Sequence, residues 1–466
     1  MRLRICRRFL IIGCAGLIAA ASLRVAAKES AVKTKAASAA STPKAVAPRA
    51  ALTSATLEAV AKTLKPYDGP SARGVDVSTL DRKVMVGYQG WFTAAGDGSG
   101  IDWNHYVVNK RFEPGFCHIE YWPDVSELGA DEKYPTPFRH ADGRVAYVFS
   151  AFNKKTVIRH FEWMRAAGID GAFVQRFASN TMNEPHYKRV NVVLENCREA
   201  ANRAGRAYAV MYDISSLKEG QLQRVADDWR LLVTRMSITR DPKDQAYLRH
   251  KGRPVVAVWG LGFKDRLFSV PEWSRLIGFL HDDPVCGGCA MFLGVPTGWR
   301  TLDRDCLKVP ELSALFAKAD ILSPWTVGRY RTPDEAATHA RERWAPDQQW
   351  CREHGKDYLP VVYPGFSWHN MKGDPQNPIP RLKGQFFWKQ IVEATRAGAT
   401  MLYVAMFDEM DEGTAIFKCE NDPPVGATKF LTYEGLPSDF YMRLAGQAGR
   451  LLRGEIQASD KLPFER

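Results

Sequence analysis

Thr400-Met-Leu-Tyr-Val-Ala-Met-Phe-Asp-Glu-Met-Asp-Glu-Gly413 is an apolar run that ends in four acids. A segment apolar at consecutive positions suits a strand buried on both faces, as in a parallel sheet covered by helices. Seven further runs share this character, at residues 84–92, 169–177, 207–214, 254–261, 290–295, 321–327 and 359–363; the opening run covers 400–407. Helical patterns alternate with them, which is the signature of βα units. Eight is the number at which such a sheet closes, so the expected fold is α/β, a (β/α)8 TIM barrel.

The helical segments carry start and stop signals. Residues 156–167 place Val157, Phe161 and Met164 on one stripe and stop at Gly168. Residues 187–203 stop at Gly205, and 382–397 end at Gly398. Thr332-Pro333-Asp334-Glu335 combines a capping residue, proline at the first helical position and early acids, opening a helix over 336–353. A last helix over 438–452 would close the ring. One stretch breaks the alternation: about sixty residues, Thr93 to Asn153, separate the first strand from the first helix. A connection that long in a compact domain is normally functional. Here it would lie over the C-terminal face of the barrel, where active sites form. It holds Trp103, His105, His118, Glu120 and a further short strand at residues 145–149.

The formal charge of +12 does not describe the folded part. Residues 1–65 hold twelve of the 64 Lys and Arg and only two acids, which leaves residues 66–466 at +2. So small a charge provides no general phosphate-binding field and excludes nucleic acid as a partner. The basic excess belongs to a signal peptide at residues 1–27: basic residues Arg2 to Arg8, an apolar core to Leu23, and Val25-Ala26-Ala27 as the cleavage site. Residues 28–65, dominated by Ala, Lys, Ser and Pro, read as a disordered tether. Residues 66–466 form one domain. The expected location is secreted or periplasmic, as a monomer without stable membrane insertion once the signal is cleaved; an uncleaved N-terminal anchor is the alternative. Seven cysteines remain after the signal. In an oxidising compartment some would pair, and the odd number leaves at least one free. Cys286-Gly-Gly-Cys289 lacks the second pair that a zinc ribbon needs.

The C-terminal strand ends collect Tyr88, Gln89 and Trp91; Gln175 and Arg176; Asp213; Trp259; Trp325; Tyr363 and Trp368; and Asp408, Glu409 and Glu412. Aromatic faces bind the C–H surfaces of sugars, and charged groups bind their hydroxyls. Two carboxyls on a rigid rim are the usual equipment for breaking a glycosidic bond. In a straight strand, residues three apart point to opposite faces. Convergence of Glu409 and Glu412 therefore requires a turn at Met410-Asp411, which Gly413 favours.

The motifs VGYQGWF (86–92), GDG (96–98) with Trp103 and His105, GIDGAFVQRF (168–177) and YVAMFDEMDEGTAIF (403–417) resemble the glycoside hydrolase family 71/99-like group. Some of its members are labelled xylosidase/arabinosidase, and its better-understood relatives are endo-acting α-mannosidases. The likeness runs from about Val84 to Leu452. It implies a retaining hydrolase in which Glu409 is the base that deprotonates the sugar 2-hydroxyl and Glu412 is the general acid/base. Tyr88, Trp91, Arg176, Asp213, Tyr363, Trp368 and Asp408 are the expected substrate contacts. The chain departs from the relatives where Asp408 replaces an Asn and Met410-Asp411 replaces a Trp and its polar neighbour. The implied substrate is an oligosaccharide or polysaccharide, and no metal or cofactor is called for. A non-catalytic carbohydrate-binding barrel is the main alternative. A metal-dependent hydrolase using His118, Glu120 and Asp213 is a second.

Overall fold

Strands form where the apolar runs lie: β1 (Val84–Tyr88), β2 (Gly171–Phe177), β3 (Ala207–Asp213), β4 (Arg253–Trp259), β5 (Ala290–Val295), β6 (Ile321–Pro324), β7 (Asp357–Tyr358 and Val361–Val362) and β8 (Leu402–Val404). This is a computed structural model, and it describes residues 58, 60–266 and 269–464. The eight strands are parallel, each paired with its neighbours in chain order, and β8 pairs with β1 through Val84↔Leu402. Strand β7 is divided at Pro360, which has no N–H to donate. Its first half pairs with β6 and its second with β8, so one strand closes the ring. Carried round the ring from Met85, the register returns to the chain at Val77, eight residues earlier, which is the shear of a TIM barrel.

A helix follows each strand: α1 (Lys154–Ala167), α2 (Glu184–Ala204), α3 (Gln223–Thr234), α4 (Val270–Asp282), α5 (Glu311–Phe316), α6 (Pro333–His339, continuing as Ala345–Glu353), α7 (Gln385–Arg396) and α8 (Phe440–Leu452). Asn153 caps α1 by accepting from the Lys155 N–H, and Gly168 ends it at φ 81°. The two parts of α6 are joined by a π turn, Ala340–Trp344. Pro346 lies just beyond it and cannot supply the next helical hydrogen bond.

Side chains alternate between barrel interior and helix layer. Inside, Phe173, Phe292 and Tyr403 pack edge to face at centroid distances of 5.0 to 6.3 Å. Gly87 and Gly294 make room for this filling: a Cβ at Gly87 would strike Met406 and Tyr403, and one at Gly294 would strike Trp259. The long β1–α1 connection adds an antiparallel hairpin, Tyr134–Arg139 with Val145–Val148. It packs over the end of β8, where the Glu120 N–H donates to the Met410 carbonyl (2.9 Å).

The packed body starts earlier than residue 66. Val60 sits against Tyr187 and Val190 of α2, and Leu64 belongs to the main core. The expected signal peptide and most of the expected tether lie outside the described residues. Among the described residues, no helix is long and apolar enough to cross a membrane. All seven cysteines of the described chain are buried and free.

Candidate active site

The strand of the opening run is short because the chain leaves the sheet after Val404. Ala405 and Phe407 still donate to Val362 and Gly87 (2.9 and 2.7 Å), and Met406 turns into the space above Gly87. The Ala405–Met406 peptide is cis. A turn then runs from Met410 to Gly413, with Gly413 at φ 70°. This is the bend the spacing required, and it brings Glu409 and Glu412 to one cavity of about 520 Å3 at the C-terminal end of the barrel.

Glu409 is fixed from both sides. One carboxylate oxygen accepts from Gln89 Nε2 and the other from Thr414 Oγ1 (2.6 Å). Burial, then Glu412 and then Asp411, push its pKa well above the ordinary carboxyl range. Glu412 is partly exposed, and burial and Asp411 raise it too. Lys372 pulls its pKa down, as does the Trp368 indole N–H, which faces it without a well-aligned hydrogen bond. Two neighbouring carboxyls raised in this way hold a proton between them near neutrality. Both oxygens of Glu409 receive donors, and hydrogen bonds to a carboxylate favour its charged form.

The turn is held from beneath. Arg381 is buried at 2% exposure and donates through Nη2 to the carbonyls of Gly413 (2.9 Å) and Ala415 (2.6 Å). Among the described residues it has no acidic partner. Its guanidinium instead lies 4.3, 4.5 and 4.9 Å from the ring centres of Tyr121, Tyr441 and Tyr433. On the outer side, Asp411 bonds His105 Nδ1 (2.8 Å), whose ring stacks on Trp91 at 3.8 Å. Burial raises Asp411 to about 8.

Of the expected substrate contacts, Trp91, Asp213 and Trp368 line the cavity. Four others do not. Tyr88 points outward from β1 and bonds His160 Nδ1 of α1 (2.9 Å). Arg176 also faces the helices, since its neighbour Gln175 takes the inward position. It bonds Asp228 of α3 through Nε and Nη2 (2.6 and 2.7 Å) and Asn191 of α2 (2.6 Å). Tyr363 donates to the Tyr330 carbonyl inside the helix layer. Asp408 is fully buried and accepts from the backbone N–H groups of Gln89 (2.7 Å) and Gly90 (2.9 Å). It thus positions the residue that bonds Glu409 rather than touching substrate. Burial raises it to about 7. Glu120 is likewise occupied, accepting from Ser367 Oγ and the Asn370 N–H (2.9 and 2.6 Å).

The cavity also takes in residues the site expectation omitted. Gln89, Gln175, Trp259 and Trp325 were visible at strand ends. Lys264, Asp265, Arg266, Asp305 and Arg329 come from loops with no periodicity, and no sequence pattern marks them.

No protein-family model matches the chain, and no curated protein matches it in sequence. Solved structures do match. Two of the GH99 endo-α-mannosidase from Bacteroides thetaiotaomicron, one in complex with bis-tris propane, align with TM-scores of 0.57 and 0.58 at 17% identity, covering 81% of this chain and 99% of theirs. A glycoside hydrolase-like protein aligns with TM-score 0.50 at 15% identity, over 84% of this chain and 98% of its own. The chain therefore has the (β/α)8 fold seen in GH99 endo-α-mannosidase.

Proposed function

We propose that the protein is an exported glycoside hydrolase that cleaves O-glycosidic bonds of an oligosaccharide or polysaccharide with retention of configuration. The observation that carries this reading is the meeting of Glu409 and Glu412 in one indole-lined cavity, the first anchored by two donors and the second partly open. In the proposed reaction, Glu409 takes the proton of the sugar 2-hydroxyl as that oxygen closes on the anomeric carbon. Glu412 gives its proton to the departing glycosidic oxygen, leaving an epoxide-like intermediate. Glu412 then removes a proton from water, which opens the three-membered ring at the anomeric carbon, and Glu409 returns its proton to the 2-oxygen. Two inversions give net retention.

The test is Glu409→Gln and Glu412→Gln on the described domain, with a panel of α-mannans, α-glucans, xylans and arabinans and product NMR. Each variant should lose turnover by about a hundredfold or more while still binding oligosaccharide. Binding without any turnover by the unmodified protein would favour a carbohydrate-binding barrel instead.

A further inference from the structure

The cavity has two unlike walls. On one stand Glu409, Glu412 and Asp213. On the other, the connections after β4 and β6 bring Lys264, Arg266 and Arg329. The connection after β5 joins them: the Lys264 N–H donates to the Asp305 carbonyl (3.0 Å) and the Leu307 N–H to that of Gly262 (2.8 Å). The acids on the basic wall are already engaged. Asp305 accepts from Arg329 Nε (3.0 Å) and from the N–H groups of Thr297 and Gly298 (3.2 and 3.1 Å). Asp265, 69% exposed, pairs with Arg266. Donor capacity remains after these bonds. Among the described residues, the Lys264 side chain has no hydrogen-bond or ion-pair partner, and Arg266 Nε is buried without an acceptor. Asp213 also feels the Arg266 charge and marks where the acidic wall begins.

Beside these cations lies a ring-binding surface. The Arg266 guanidinium is 5.7 Å from the Trp259 ring, which packs on Phe263 at 4.8 Å and Trp325 at 5.6 Å. Lys264 is exposed, and the hydroxyls of a neutral sugar on Trp259 would answer these donors through hydrogen bonds alone, whereas an anionic group also meets their charge, and charge-assisted hydrogen bonds are the stronger kind. We propose that the substrate is an anionic glycan, in which a sugar resting on Trp259, away from the bond being cleaved, carries a carboxylate or a sulfate ester received by Lys264 and Arg266. This rests on the glycosidase reading and names the substrate class of that same cavity.

Binding separates the two ideas, because it can be read on the Glu409→Gln protein without turnover. The probes are oligogalacturonate and its carboxyl-reduced form, and carrageenan oligosaccharides and their desulfated form, measured by calorimetry. One charged member should bind at least about tenfold tighter than its neutral counterpart, and which pair shows this identifies the carboxylate or the sulfate. The preference should shrink at high salt and fall toward unity in Lys264→Met/Arg266→Met. Equal or tighter binding of the neutral forms, no binding by either charged form, or a preference unmoved by the double variant would overturn the proposal. A charged preference with no turnover by the unmodified protein would leave it standing and remove the hydrolase instead.

Discussion

Asp408→Asn probes the balance that governs the whole acidic turn. Asp408 accepts two backbone N–H groups, which favour its ionised form, yet burial raises its pKa from 3.8 to about 7. In the unfolded chain it titrates near the ordinary value. Between about pH 4 and pH 7 the unfolded state therefore loses a proton that the folded state keeps. A raised carboxyl contributes stability that is complete below the unfolded pKa and is lost as pH climbs through the folded one. A rise of that size corresponds to about 4 kcal/mol lost across that window. Asn carries no such proton, so the variant escapes this loss. Asp411 and the two glutamates titrate in both proteins and largely cancel in the difference. Urea unfolding followed by tryptophan fluorescence, from about pH 4.5 to pH 7.5, should show the variant gaining up to about 4 kcal/mol on the unmodified protein, whatever their offset at the acid end. Parallel stability curves would refute the reasoning. They would mean that the two N–H donors outweigh burial and that Asp408 is charged throughout.

Arg176→Met should cost about 3–5 kcal/mol in denaturant unfolding, because Asp228 is left buried and unpaired; KM for a hydrolysed glycan should not move. Lys372→Met removes a cation that lowers the pKa of Glu412, so the alkaline limb of the kcat/KM profile should shift to higher pH; a downward shift would contradict Glu412 as the acid. Gly446→Ala places a Cβ 1.7 Å from the Ala167 carbonyl where α8 crosses α1, and should lower stability by about 3 kcal/mol in thermal unfolding.

The barrel was legible because buried parallel strands are apolar at every position, and all eight runs became strands. Their ends were less so. The run at 400–407 yields only Leu402–Val404, since the chain leaves the ladder where Met406 turns into the space above Gly87, and Ala405 and Phe407 keep only single backbone bonds to Val362 and Gly87. The carboxyl pair could be located from its position at a strand end followed by glycine. Proximity to a strand end did not separate inward from outward side chains, which is why Tyr88 and Arg176 were misassigned. Their neighbours Gly87 and Gln175 hold the interior positions, and period-two alternation sends Tyr88 and Arg176 to the helices. Lys264, Arg266 and Arg329 converge only through loop-to-loop hydrogen bonds, a relation no local pattern encodes.

The tyrosine cage around Arg381 draws on parts of the chain that emerge far apart in time. Tyr121 comes from the first long connection, whereas Tyr433 and Tyr441 follow the acidic turn, the latter on α8. A nascent chain halted before residue 441 would contain both glutamates and every wall of the cavity, but its guanidinium would lack a full cradle. The last of the three rings that hold the guanidinium under the acidic turn then arrives with the final helix, however much of the cylinder has already been built.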